Sequence, residues 1–146
     1  MDGGGVRVPE GATLNIYGQS GDTGNLWSNS RNFDNCAGLG GRDGEGCGDI
    51  NIYGGNVSAT GGDQASGIGS GNNADMKGTI RVYGGTVSAV VSNDKSGVGI
   101  GAGLDGDMGG KLLVYGGDVN ADGRDAAGVG AAGKGNMTGS VEVYSG

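Results

Sequence analysis

The chain repeats one short unit, and this repetition limits the folds open to it more than any other feature. INIYGGNVSA at residues 50–59 returns as IRVYGGTVSA at 80–89 and as LLVYGGDVNA at 112–121. An imperfect copy, LNIYGQSG, starts at Leu14, and VEVYSG stands at the end of the sequence. Every tyrosine occupies the same point of the unit, and successive tyrosines lie 36, 30, 32 and 29 positions apart. Such a period is typical of a fold built from stacked repeats.

Glycine is the commonest residue, with 39 glycines among 146 residues, a composition that taken alone suggests a disordered chain. A disordered chain has no reason to hold Ile, Val and Tyr in fixed register, so the period outweighs the composition. We therefore predict one folded domain made of repeats.

Each unit contains three short runs that alternate with period two, and none has helical periodicity. In the unit 48–77 these runs predict an inward row of Ile50, Ile52, Val57, Ala59 and Ile68. In the next unit the last inward residue is predicted to be Val98. The fold class is therefore all-β: a parallel β-helix, or β-solenoid, of four to five coils with three strands each and a right-handed turn. Its boundaries are 1–47 for an atypical first coil or cap, 48–77, 78–109 and 110–138 for the repeats, and 139–146 for the start of a further coil.

The pattern GGxVxAxGG…AGIGxG…GxIxVYGG resembles the glycine-rich repeats of large bacterial cell-surface proteins, over about residues 36–146. It is similar, more distantly, to the parallel β-helices of carbohydrate-binding-domain proteins, and VPEGATLNI resembles a common start of bacterial β-helices. The resemblance implies an extracellular or cell-surface location, and a role as an adhesin stalk or a self-assembling structural element. Expected partners are further repeats or copies, stacked end to end or laterally, and a polysaccharide is the alternative.

Charge and missing motifs exclude several functions. The net charge is −7 and the nine Lys and Arg are scattered, which argues against nucleic-acid binding. No apolar run is long enough to span a membrane. The column beside the tyrosines, Asn15, Asn51, Arg81, Leu113 and Glu142, offers no acid pair, and the chain has no histidine, so we expect no enzyme. The final unit stops partway, which suggests a piece of a longer protein.

Alternation before each tyrosine sends the branched residues inward and the tyrosine outward. The five tyrosines would then form a ladder that either binds a sugar or a partner, or packs as a structural stack. These tyrosines are Tyr17, Tyr53, Tyr83, Tyr115 and Tyr144.

Alternation in the third strand predicts an outward row of glycines, a flat face that allows a second sheet to approach for self-association. The alternative is that the loops at 72–77, 102–109 and 131–138 cover this face. The glycine row consists of Gly67, Gly69, Gly97, Gly99, Gly128 and Gly130.

Acidic residues recur in two sets of turns, and we call them the aspartate rows. Stacked carboxylates repel each other, which Ca²⁺ or backbone N–H donors would relieve. Aspartate is also an ordinary turn residue, and the chain lacks the calcium-binding nonapeptide. No cofactor is otherwise expected. The candidate calcium ligands are Asp63, Asp94 and Asp125 in one row, and Asp75 and Asp107 in the other.

Seven further side chains attract attention because their residue types are rare here. Cys36 and Cys47 bracket a glycine-rich loop and either form a disulfide, which would indicate an oxidising compartment, or remain free thiols. Trp27 and Phe33 either cover the open end of the core or form an exposed binding pair. Met76, Met108 and Met137 align as core filler at the closure of each coil.

Overall fold

The computed structural model describes residues 4–33, 35–92 and 96–145. Within these ranges the chain has fourteen strands and no helix, and every strand pairing is parallel. The strands form three sheets that wind as a β-solenoid of about four turns. This confirms the predicted fold class.

The first strand of each coil belongs to sheet 1 and precedes a tyrosine. Sheet 1 consists of β2 (Thr13–Ile16), β5 (Asp49–Ile52), β8 (Thr79–Val82), β11 (Lys111–Val114) and β14 (Ser140–Val143). The second strands form sheet 2, which consists of β3 (Asn25–Asn29), β6 (Asn56–Gly61), β9 (Thr86–Val91) and β12 (Asp118–Asp122).

The third strands form sheet 3 and are shorter. Sheet 3 consists of β1 (Val6–Arg7), β4 (Leu39–Gly40), β7 (Ile68–Gly69), β10 (Ile100–Leu104) and β13 (Val129–Ala132). The run that contains Val6 thus supplies the third side of the stack, because it pairs with β4 and not with the strand that follows it.

Between the sheets lies a core of stacked branched side chains. Ile50, Ile52, Ile80 and Val82 are completely buried, and register places Ile50 against Ile80 and Ile52 against Val82. Parallel strands lie about 4.8 Å apart, so identical positions of successive coils touch and a coil too narrow for its own core shares one with its neighbours. The predicted inward residues of sheets 1 and 2 are confirmed.

The third strand of the unit 78–109 is out of the predicted register by two residues. Ile100, and not Val98, pairs with Ile68 on one side and with Val129 on the other. Val98 is nevertheless buried. This unit is longer than the one before it, and counting from the tyrosine therefore placed the strand too early.

Candidate functional site

The glycine pair after each tyrosine turns the chain from sheet 1 to sheet 2. The second glycine of each pair has a left-handed backbone, with φ of 86° at Gly55, 84° at Gly85 and 85° at Gly117. Residues with a Cβ rarely adopt this conformation, which explains glycine at the corner. The corner lets the preceding tyrosine point away from the core at the same place in every coil.

The five tyrosine rings form one continuous stack along this corner. Neighbouring ring centroids lie 4.7, 4.8, 5.0 and 5.0 Å apart, and the ring planes differ by 3° to 9°. The rings are also exposed, by 38 to 42% at the three inner tyrosines, 69% at Tyr17 and 61% at Tyr144. The ladder is therefore a stack of rings whose edges face solvent, and its binding of a sugar or a partner stays a prediction.

Stacking decides which parts of the rings a ligand can reach. Each inner ring has a tyrosine on both faces, so it presents only its edge and its hydroxyl group. Tyr17 and Tyr144 each have one ring face without a tyrosine neighbour in the described chain. The Tyr144 hydroxyl donates to Glu142 Oε2 at 2.5 Å, which raises the pKa of Tyr144 and lowers that of Glu142.

A shallow groove of about 370 Å³ lies at the Tyr17 end of the ladder. Tyr17, Gln19, Asn25 and Asn56 line it, together with Gly54 and Gly55. Asn56 Nδ2 donates to Asn25 Oδ1 at 3.1 Å, which fixes the two amides side by side. The groove thus combines an aromatic ring with amide donors and acceptors, a combination that suits a hydroxyl-rich ligand.

Sequence reasoning did not find this groove, because it depends on an irregular segment. The loop between Tyr17 and Asn25 replaces the glycine corner of the other coils, and only this coil has it. The signal in the sequence is the long first interval between tyrosines.

The outward column of sheet 1 contains the residues that the sequence predicts. Its successive register partners are Asn15, Asn51, Arg81, Leu113 and Glu142. Asn51 Nδ2 donates to Asn15 Oδ1 at 2.9 Å, and Arg81 reaches Asn51 Oδ1 and Asp49 Oδ2, each at 3.3 Å. These contacts link one coil to the next. They pair the polar side chains with one another and form no acid pair.

The glycine row is not an outward face. Gly67, Gly69, Gly97, Gly99 and Gly130 are buried and Gly128 is half-buried, so the predicted exposed surface for self-association is wrong. A Cβ at Gly67 would meet the backbone of Ala89 and Val90, and one at Gly130 would lie 3.8 Å from Met137 Sδ. The reason is a left-handed backbone at Gly69 and Gly130, with φ of 139° and 141°, which breaks the strand alternation.

The aspartate row of Asp75 and Asp107 obtains hydrogen-bond donors from the next coil. Asp75 Oδ1 accepts the Asp107 N–H at 3.0 Å, and Asp107 Oδ1 accepts the Asn136 N–H at 2.7 Å. Asp63 is buried, and Asp125 is exposed. Asp94 lies outside the described residues. No group of three or more potential metal ligands occurs in the described part of the chain. Backbone N–H groups therefore offset the charge of Asp75 and Asp107.

The two cysteines are free, so the predicted disulfide is wrong. Cys47 belongs to the core cluster that contains Met76 and Met108, whereas Cys36 is buried outside this cluster. Burial, with a smaller effect of Asp49, raises the pKa of the Cys47 thiol to about 12. A buried thiol of this kind is inert.

The rare large side chains divide between core and surface. Met76 and Met108 are completely buried, as predicted, but Met137 is 46% exposed, so its prediction as core filler is wrong. Parallel bridges join Met76 to Met108 and Met108 to Met137. Trp27 is 83% exposed on the outer face of β3, so it does not cover the core. Phe33 is 37% exposed, with its ring against Gly4.

Comparison with known proteins supports the architecture. A family model described as beta helix repeat matches residues 50–72, the segment that contains β6 and β7. No curated protein and no solved structure matches the chain. None of the described residues forms a helix long and apolar enough to cross a membrane. The chain is thus similar to beta helix repeats, and its fold is that of a structural repeat module.

Proposed function

We propose that the chain is a non-catalytic structural module of a bacterial extracellular or cell-surface protein, a stalk element that stacks with further coils of its own kind. The observation that carries this proposal is the continuous like-on-like register of sheet 1 through all five of its strands. Tyrosine follows tyrosine through the full stack, and the branched core residues repeat beneath them. Such a stack grows by adding coils without changing its cross-section.

The Tyr144 end of the solenoid supports the stacking part of the proposal. Val141 and Val143 on β14 are 41% and 67% exposed, although their register partners Leu112 and Val114 are buried. Parallel strand edges and apolar side chains at one end favour pairing with another coil. The extracellular location rests on the resemblance of the repeat, because the free cysteines remove the disulfide as an argument for an oxidising compartment.

Sedimentation over a wide concentration range tests the stacking proposal. We expect the unaltered chain to associate as concentration rises, and Val143→Lys to prevent this by placing a charge at the apolar end. Thr86→Lys, on the exposed outer face of β9, is the matched control and should associate normally. A chain that stays monomeric at the highest soluble concentration would contradict the stacking proposal.

A second candidate function is polysaccharide binding, favoured by the groove beside Tyr17. The open ring face of Tyr17 and the paired amides of Asn25 and Asn56 supply apolar contact and hydrogen bonds to a sugar. Pull-down on insoluble polysaccharides and a glycan array test this function. Tyr17→Ala should abolish binding, whereas Tyr83→Ala, in the middle of the ladder, should retain it. Equal loss in both variants would contradict a binding site at this groove.

A further inference from the structure

The tyrosine ladder places five phenols in an arrangement that is unusual for an exposed surface. Each ring has its nearest tyrosine neighbour at 4.7 to 5.0 Å, in nearly parallel orientation, and every ring is at least 38% exposed. In the described chain only the Tyr144 hydroxyl has a hydrogen-bond acceptor. The phenols are therefore accessible to solvent and held next to one another.

Proximity of this kind matters for one-electron oxidation. A phenol that loses one electron and one proton becomes a phenoxyl radical whose unpaired electron is shared with the two ring carbons beside the oxygen-bearing carbon. Two such radicals combine at these carbons when they meet. Groups held next to each other react at effective concentrations far above those of free molecules, so coupling within the ladder outcompetes coupling between dilute molecules.

We propose that the tyrosine ladder is a site of oxidative cross-linking, at which tyrosines of neighbouring coils join as dityrosine. The oxidant is a peroxide acting through a one-electron catalyst such as a haem peroxidase. For each bridge, two phenols lose one electron and one proton each, one ring-to-ring carbon–carbon bond forms, and one hydrogen peroxide is reduced to two waters. After the bond forms, the two ring carbons lose their hydrogens and both hydroxyl groups are restored.

The strand spacing places the tyrosines of successive coils within reach of one another. Neighbouring strands hold the Cα atoms of successive tyrosines about 4.8 Å apart. The ring edges face solvent, so rotation about the side-chain bonds brings two ring carbons together. The inner three tyrosines have a partner on each side, whereas Tyr17 and Tyr144 have one each.

A dityrosine bridge would fasten one coil to the next. A bond between Tyr53 and Tyr83 closes a loop in the unfolded chain and lowers its conformational entropy, as a disulfide does. This chain has no disulfide. Bridging would supply the covalent reinforcement that it lacks, independently of whether the module stacks with other copies or binds polysaccharide.

Two double variants with the same number of tyrosines test the proposal. Tyr53→Phe with Tyr115→Phe leaves Tyr17, Tyr83 and Tyr144, which are two coils apart, roughly 10 Å. Tyr17→Phe with Tyr144→Phe leaves Tyr53, Tyr83 and Tyr115, which are direct neighbours. Dilute protein is treated with peroxidase and hydrogen peroxide. Dityrosine fluorescence, the mass of the monomeric fraction and mapping of the linked peptides are then measured.

We expect the unaltered chain and the variant with neighbouring tyrosines to form bridges within one molecule, with a loss of two hydrogens for each bridge. In the variant with separated tyrosines, dityrosine in the monomeric fraction should fall to the level of the unfolded chain in urea. The oxidised wild-type monomer should also unfold at a higher temperature than the untreated one.

Equal intramolecular yields in the two variants would overturn the proposal, and so would bridges found only between molecules. Mapping the linked peptides of the wild-type protein gives a test that does not depend on folding of the variants. Native protein should link tyrosines of adjacent coils, such as Tyr53 and Tyr83, whereas a random choice of partners would contradict cross-linking within the ladder.

Discussion

The tyrosine ladder and the glycine row repeat with similar regularity in the sequence, yet one lies at the surface and the other lies inside. Tyr83 is 41% exposed, whereas Gly69 is buried and its Cβ position is filled by the Gly101 carbonyl oxygen of the next coil. The tyrosines follow four-residue strands with regular alternation. Gly69 and Gly130 instead lie in short strands of sheet 3, where a left-handed backbone interrupts the alternation. A repeated residue thus indicates a repeated position in the coil, but whether that position faces solvent or the interior depends on the local backbone conformation.

The largest effect is expected for Gly69→Ala. A Cβ at this position combines an unfavourable φ of 139° with a clash against the Gly101 carbonyl of the neighbouring coil. We expect a loss of about 3 kcal/mol or more in the free energy of unfolding, from backbone strain together with overpacking. Urea denaturation followed by circular dichroism measures the loss.

Gly44→Ala is the control for Gly69→Ala. Gly44 also has a left-handed backbone, with φ of 69°, but nothing lies within 4 Å of its Cβ position. In Gly44→Ala the free energy of unfolding should fall only by the backbone strain, about 1 kcal/mol. Similar losses in both variants would show that the close approach of neighbouring coils is not what requires glycine in the row.

Tyr83→Ala should lower the free energy of unfolding by less than Gly69→Ala does, because the Tyr83 ring is partly exposed. It removes the stacking contacts with Tyr53 and Tyr115, each worth about 0.5 to 1.5 kcal/mol. We expect a loss of about 1 to 2 kcal/mol by the same urea titration. Tyr83→Phe keeps the stack and should be almost neutral, and a large loss in that variant would mean that the hydroxyl group, and not ring stacking, stabilises the ladder.

A smaller loss of stability is expected from a substitution in the aspartate rows. Asp107→Ala removes the acceptor for the Asn136 N–H, and we expect a loss of about 1 kcal/mol. Calcium should not raise the thermal unfolding temperature of the unaltered chain, since the N–H groups already compensate Asp75 and Asp107. A rise with calcium that EDTA reverses, and that Asp107→Ala removes, would instead support a calcium site.

The smallest effect concerns Arg7 and Glu45, a pair that occurs in the first coil and is not part of a row. The hydrogen bond from Arg7 lowers the pKa of Glu45. A carboxyl whose pKa is lower in the folded state stabilises the fold above its unfolded pKa, and this stabilisation disappears as pH falls through the folded pKa. Arg7→Gln should therefore be slightly less stable at pH 7 and equal to the unaltered chain in strong acid. Because both side chains are partly exposed, salt should weaken the difference, and a difference that persists in strong acid would exclude this pair as its source.

Residues in regular strands could be placed from sequence because alternation there is strict. Ile50, Ile52, Val57 and Ala59 are buried as predicted, and Tyr53 is outward. The residues of the third strand are harder to place from the sequence. Its ladder pairs Ile68 with Ile100, which the longer spacing of the second unit concealed, and its glycines point at neighbouring chain segments. Backbone conformation, which a short glycine-rich run does not reveal, accounts for both differences.

The sequence by itself determined the parallel β-solenoid, its three strands per coil and the outward tyrosines, since a period of about 30 residues combined with a period of two allows few other arrangements. Tertiary structure decided everything that depends on contact between coils. It placed Cys36 and Cys47 in separate buried positions, supplied backbone donors to Asp75 and Asp107, and brought the Tyr17 ring beside Asn25 and Asn56. The physical reason is that these residues lie far apart along the chain or in irregular segments, and only the stacking of coils fixes their distances and directions.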